Sequence, residues 1–214
     1  AEAGQDAVML CRGRILGGGR AIRSRSLGLV LKPEHQNVFN AARIEKIVNK
    51  RFFMTTPGGV QDGMAKAISD QYVELSVHPR YKDNIPRYMQ VVRSLALQES
   101  PSTHIERMSL LEKQLLDPIT SAQAALQLEA IGRRSIELLK KGLEAEDAEV
   151  RFRSAEALAY LDQSDAAKVL GETARNEPAF RVFALSALAA MDDPIAYEQL
   201  CSLLDAPSAE TRYG

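Results

Sequence analysis

Cysteine is scarce in this chain, with only Cys11 and Cys201 in 214 residues and one in each half. Two such distant thiols do not make a disulfide framework. Histidine is equally thin. His35, His78 and His104 stand singly, and no Cys/His spacing of the kind that holds zinc occurs. Each lone histidine reads as a surface or packed residue, and the sequence calls for no metal and no cofactor. Long apolar runs are missing too, because no stretch reaches the roughly 18 residues that span a bilayer. A secretory leader is not visible. The chain starts at Ala1 and stops at Arg212-Tyr213-Gly214, in what reads as an opening helix, so it reads as a piece of a longer protein.

What is present supports a folded protein. The hydrophobic share, 45%, is enough for an ordinary core, and the length fits one or two domains. The net charge of −1 conceals a division. Residues 1–98 carry 15 basic against 8 acidic side chains, and residues 99–214 carry 12 against 20, giving +7 and −8. Such a split points to two modules with different surfaces.

The first half alternates strand and helix signals. Residues 7–15 and 21–32 have strand character, joined by Gly17-Gly18-Gly19, which reads as a turn needing positive φ. A phosphate-cradling loop would need a helix after the glycines, and a strand follows. Asn37 is a plausible cap for a helix through Phe52, whose apolar positions recur at helical spacing from Val38 to Val48. Residues 53–64 read as a loop, Met64–Ile68 as a short helical turn, and 71–78 as a half-buried strand. Pro79 stops that strand. Asp83 or Asn84 then caps a helix with Pro86 in its first turn. The expected order is β-β-α-α-β-α, a small sheet with helices on one face. A KH-type nucleic-acid module would need a GXXG loop between helices, and none is present.

Four stretches of this half, GRILGGGRAIRSRSLGLVLK (13–32), VFNAARIEKIVNKRF (38–52), AKAISDQYVELSVHP (65–79) and IPRYMQVVRSLAL (85–97), together resemble a segment of the flagellar P-ring protein family. The likeness is carried by Leu31, Ala42, Arg43, Ile44, Ile47, Asn49, Arg51, Phe52, Ala65, Ala67, Val77 and Pro79. The resemblance implies a periplasmic or cell-envelope protein without catalysis that associates with itself into a ring. The P-ring family carries no helical repeats, so such a domain serving another envelope assembly fits equally. The alternative is a cytoplasmic adaptor whose basic first module meets nucleic acid or an acidic partner.

The second half repeats itself. Segments 119–131, 149–161 and 179–191 superpose at a period of 30, aligning Ala125 with Ala155 and Leu185, and Leu128 with Leu158 and Leu188. Arg151 and Arg181 align as well, and Gly132, Asp162 and Asp192 end each first helix. Second helices are expected over 133–143, 164–174 and 194–204. A preceding helix opens near Pro101, with Thr103 and Glu106 as a capping box. This pattern resembles HEAT repeats, paired helices that stack because none hides its apolar stripe alone.

The fold class expected is therefore α+β over residues 1–98, followed by an all-α HEAT-like solenoid over 99–214, mostly helical overall. Candidate partner-binding residues are Arg12, Arg14, Arg20, Arg23 and Arg25 in the first module. In the second they are Arg133, Arg134, Lys140, Lys141 and Lys168, on helices that line one face of a solenoid. No aromatics interleave with the first cluster, which argues against single-stranded nucleic acid and for a protein partner. Arg151, Arg181, Leu128, Leu158 and Leu188 read as parts of the repeat itself, the arginines bonding a neighbouring helix end or carboxylate. Carboxylates crowd residues 144–149 but sit in an exposed turn, and no G-x-S-x-G elbow exists. Some HEAT-like families include bilin lyases, yet no chromophore site is identifiable. The expected role is non-enzymatic scaffolding, with protein partners and no small-molecule substrate.

Overall fold

The computed structural model describes residues 27–213. The strand expected over 7–15, the glycine turn at 17–19 and Arg12, Arg14, Arg20, Arg23 and Arg25 lie outside the described residues. A small antiparallel sheet region is followed by a helical repeat region. The chain runs β1 (Leu27–Val30), α1 (Val38–Arg51), β2 (Phe53–Thr55), β3 (Gln61–Gly63), β4 (Ala65–Ala67), β5 (Tyr72–Leu75) and α2 (Ile85–Arg93). Helices α3 (Pro101–Leu115), α4 (Pro118–Ile131), α5 (Ile136–Leu143), α6 (Ala148–Tyr160), α7 (Asp165–Asn176), α8 (Arg181–Ala189), α9 (Pro194–Leu203) and α10 (Ala209–Tyr213) follow.

Strand β5 is the centre of a three-stranded sheet, flanked by β1 and β4, with Leu27 opposite Leu75 and Ala65 opposite the same residue. Two local expectations give way here. The stretch 53–64 is a two-stranded hairpin, β2 against β3, rather than a loop. Its turn is closed by the Thr56 N–H donating to the Val60 carbonyl at 2.9 Å, with Gly59 at φ +78°. The short helical turn expected at Met64–Ile68 is strand β4. The reason is tertiary. Asn49 of α1 accepts from the Ala65 N–H at 2.7 Å and donates to its carbonyl at 2.9 Å, and Glu45 accepts from the Ala67 N–H at 2.9 Å. Helix side chains thus satisfy the outer backbone groups of an edge strand, which a local pattern does not reveal.

The caps follow from composition. Asn37 accepts from the Asn40 N–H at the start of α1, and Asn84 accepts from the Arg87 N–H at the start of α2. The capping box expected at Thr103 and Glu106 is displaced. Ser100 is the cap of α3, accepting from the Thr103 N–H, and Pro101 takes the first helical position, where its missing N–H costs nothing. Phe52, Tyr81 and Tyr88 form the aromatic centre of the first module, with Phe52 edge-on to Tyr88 at 5.1 Å and to Tyr81 at 5.7 Å.

The array keeps the thirty-residue register. Asp117 and Asp147, thirty residues apart, cap the first helices α4 and α6 through backbone N–H groups, and Asp193, outside that register, caps the second helix α9. Leu128, Leu158 and Leu188 are all buried between the helix layers. The aligned arginines close each hairpin onto the helix before it. Arg151 donates to the carbonyls of Ala145 and Glu146 and Arg181 to that of Ala174, and Arg212, one residue past the register, donates to those of Ala206 and Pro207. Those carbonyls lie at or just beyond a helix C-terminus, where intrahelical donors run out. Second helices are linked by Lys141 to Glu112 at 2.6 Å and by Lys140 to Asp165 at 2.8 Å.

Helix α6 is buried on every side from Ser154 through Tyr160. An amphipathic surface helix would show one polar face, so α6 is covered by two layers. The second helices cover one side, and the first module covers part of the other. Replacing Leu158 with Ala opens a cavity at the middle of this sandwich. The expected cost is about 2–5 kcal/mol in urea unfolding followed by far-ultraviolet circular dichroism. A change below about 0.5 kcal/mol, the range of ordinary surface substitutions, would place the repeat core elsewhere.

Candidate functional site

The first module meets the array through α2, which lies across the first helices α4 and α6. The contact is ionic at its centre. Arg87 of α2 donates to Glu129 of α4 at 2.6 and 3.1 Å and pairs with Glu156 of α6 at 2.7 Å. All three side chains are buried, Glu129 completely. Tyr81 donates its hydroxyl to the other Glu129 oxygen at 2.7 Å, and Asn84 donates to the Tyr160 hydroxyl at 3.0 Å. The Tyr160 ring stacks on Tyr81 at 4.7 Å, with the Arg87 guanidinium 4.7 Å from its centroid. Arg51, from the end of α1, donates to the Glu129 backbone carbonyl at 2.9 Å. Its side chain passes Gly132, where φ is +85° and a Cβ would meet the Arg51 Nε at 3.2 Å. A glycine there both ends α4 and admits the arginine.

Electrostatics at the junction follow from burial. Loss of water pulls the Arg87 guanidinium towards its neutral form, but Glu129 and Glu156 outweigh this and hold it firmly charged. Burial raises the Glu129 carboxyl above the ordinary range, against the pull of Arg87 and Tyr81. Burial also raises the Tyr81 phenol, and the adjacent Glu129 charge adds to it. At the margin, burial lowers the His78 imidazole, helped by Arg80 and Arg51. The neutral ring is also what the geometry needs, since His78 Nδ1 accepts from the Arg80 N–H at 3.3 Å.

Beside this cluster the first-helix face stays open. A groove of about 450 Å³ is walled by Pro86 and Gln90 of α2, Ile119 and Leu126 of α4, and Phe183 of α8. Arg153 and Glu156 of α6 form its floor. Arg153 bonds Glu149 at 3.1 Å and lies over the rings of Phe152 and Phe180. Ile119 is 92% exposed and Phe183 and Val182 are half exposed. Large apolar side chains around an arginine are the composition of a protein-contact surface. Among the described residues, no cluster of His, Cys, Asp and Glu has the grouping to hold a metal ion, and no helix is long and apolar enough to cross a membrane.

The sequence candidates are dispersed. Arg133 and Arg134 are exposed in the turn between α4 and α5, and Lys168 is exposed on α7. Lys140 and Lys141 point along the stack to Asp165 and Glu112. None of these five lines the groove. The residues that sequence reasoning missed are Arg87, Glu129, Glu156 and Tyr160. A signal existed in the register. Glu129 occupies the column that Ala159 and Ala189 fill in the other repeats, and Glu156 the column of Leu126 and Ser186. A carboxylate in a column otherwise filled by Ala, Leu or Ser on a buried helix calls for a cationic partner.

Comparison with known proteins agrees with the array. Residues 108–182 match the family model for HEAT repeats, and residues 180–206 match that for the PBS lyase HEAT-like repeat. The repeats over 108–206 are therefore HEAT-like, and repeats of this kind point to a protein-interaction or scaffold role. No curated protein and no solved structure matches the chain.

Arg87→Met leaves Glu129 buried beside Tyr81 alone, and the expected loss is about 3–5 kcal/mol. Adding Glu129→Leu to that variant removes the stranded charge and recovers part of it, read from urea midpoints. Unchanged stability in the single variant would mean that water reaches the pair. His78 is expected to titrate below the ordinary histidine value by NMR. Its unfolded form takes up a proton more readily, so its contribution is complete above about pH 6.5 and lost as pH falls through the folded value. A His78 titration at or above about 6.5 would contradict the buried neutral ring.

Proposed function

We propose that this protein is a non-enzymatic scaffold whose HEAT-like array docks a protein partner in the groove beside α2. One observation carries this reading. Ile119 and Phe183 are exposed around a groove on a first-helix face that the chain's own α2 covers only in part. The buried charges next to the groove are paired with one another, so they serve attachment of the first module rather than a reaction.

The finer reading is a structural component of a cell-envelope assembly with a flagellar P-ring-like first module. It is supported by the residue pattern of 13–97 and by the opposite charges of the two halves, which favour contact with an acidic partner on one side and a basic one on the other. On this reading the division at residues 98 and 99 separates two modules joined by the Arg87 cluster. Arg12, Arg14, Arg20, Arg23 and Arg25, together with Arg133, Arg134, Lys140, Lys141 and Lys168, are secondary contacts for acidic surfaces.

Affinity capture tests the groove. Wild-type protein as bait is expected to retain a defined partner at near-stoichiometric level. Ile119→Asp/Phe183→Asp, with unchanged helical content, is expected to lose about tenfold or more of that retention, as two exposed contact residues of hot-spot type imply. Equal retention by both proteins sinks the reading.

A further inference from the structure

The first helices of the array end in a row. Gly132, Asp162 and Asp192 stand thirty residues apart, just beyond α4, α6 and α8. At ordinary helix spacings each end lies about 8–10 Å from the next. Carbonyls at a helix C-terminus lack intrahelical donors and carry the negative end of the helix dipole. At two of these three ends the first module supplies an arginine. Arg51 donates to the Glu129 carbonyl at the end of α4, at 2.9 and 3.2 Å, and Arg80 pairs with the Asp162 carboxylate beyond α6 at 2.9 Å.

The third end has no such partner. The Ala189 carbonyl accepts no hydrogen bond from the described residues, and the Asp192 carboxylate has no ion pair among them. Both residues line a cavity of about 310 Å³ between α8 and the segment that leads into α2. The other charges of the lining are taken. Arg80 is held by Asp162, and Lys82 lies 3.9 Å from Asp83, both side chains of that pair being mostly exposed. An orphan carbonyl and a carboxylate are what the fold leaves over at this end.

We propose that the cavity at the end of α8 receives an arginine side chain of a protein partner, which completes the row begun by Arg51 and Arg80. A planar guanidinium carries five N–H donors in a fixed fork, so one group serves a carbonyl and a carboxylate together, whereas an ammonium acts as a point charge. The site is separate from the docking groove. The two hollows have only Asn84 in common, so this site stands or falls independently of the groove.

NMR titration of the whole isotope-labelled chain with N-acetyl-arginine amide tests this. The amide signals of residues 189–192 are expected to shift saturably with a Kd of about 1–10 mM, as two hydrogen bonds to charged groups imply. The neutral isostere N-acetyl-citrulline amide is expected to leave them in place, and N-acetyl-lysine amide to bind more weakly. Asp192→Asn, at an exposed position, is expected to weaken the arginine probe about tenfold. Lys82→Ala removes a competing cation and is expected to keep or tighten binding. No saturable shift up to about 100 mM overturns the proposal, as does equal binding of the citrulline or lysine probe, or unchanged affinity in Asp192→Asn. Loss of binding in Lys82→Ala refutes it too. So do shifts of the same size at exposed carboxylates elsewhere, Glu146 and Glu198 among them, because these would report screening of surface charge alone.

Discussion

The placement of the first module depends on one arginine held by two buried carboxylates. Removing Arg87, Glu129 and Glu156 from water costs several kcal/mol per ion, and their mutual attraction offsets this only when all partners are in place. Apolar contact between α2 and the first helices tolerates sliding. The ion cluster does not, because a shift of one helical turn would strand a charge. Tyr81 and Arg51 extend the same constraint, so two further elements of the first module are tied to the single residue Glu129. The cluster therefore selects one geometry more than it adds stability.

That geometry explains the unusual burial of the array. In a solenoid each hairpin contacts only its neighbours, and the outer faces of its helices meet water. Here α6 is covered on both sides, which accounts for its alanines and for Tyr160. The repeat is maintained by local devices at fixed positions, a buried leucine and an arginine that closes the preceding helix end, with aspartate caps added on α4 and α6. The lysines along the second helices add links between hairpins at the surface, where ion pairs contribute little individually.

Partial cover by α2 turns an open helix face into a groove and leaves Ile119 and Phe183 exposed at its edge. Under the proposed docking, a partner in that groove would contact helices of both modules at once, beside the charges of Arg87, Arg153 and Glu156.

The helical array was legible in the sequence because its determinants are local and repeated. Period-30 leucines and the turn residues between helices specify each hairpin with no knowledge of the others. Strand β5 and helix α1 were legible for the same reason, through alternation and through Asn37. Strand β4 was not, because its outer edge is completed by Asn49 and Glu45, sixteen and twenty-two residues away. The junction was not legible either. Arg87, Glu129 and Glu156 are far apart in the chain, and each looks like a solvated helix charge until α2 is laid on α4 and α6. Lys140 and Lys141, read as a partner surface, also pair with Asp165 and Glu112 of neighbouring helices. The sequence by itself determined which segments pair as helices, since hydrogen bonding and apolar period act within a few turns. Only the tertiary structure decided which charges are buried, because desolvation depends on what the rest of the chain places over them.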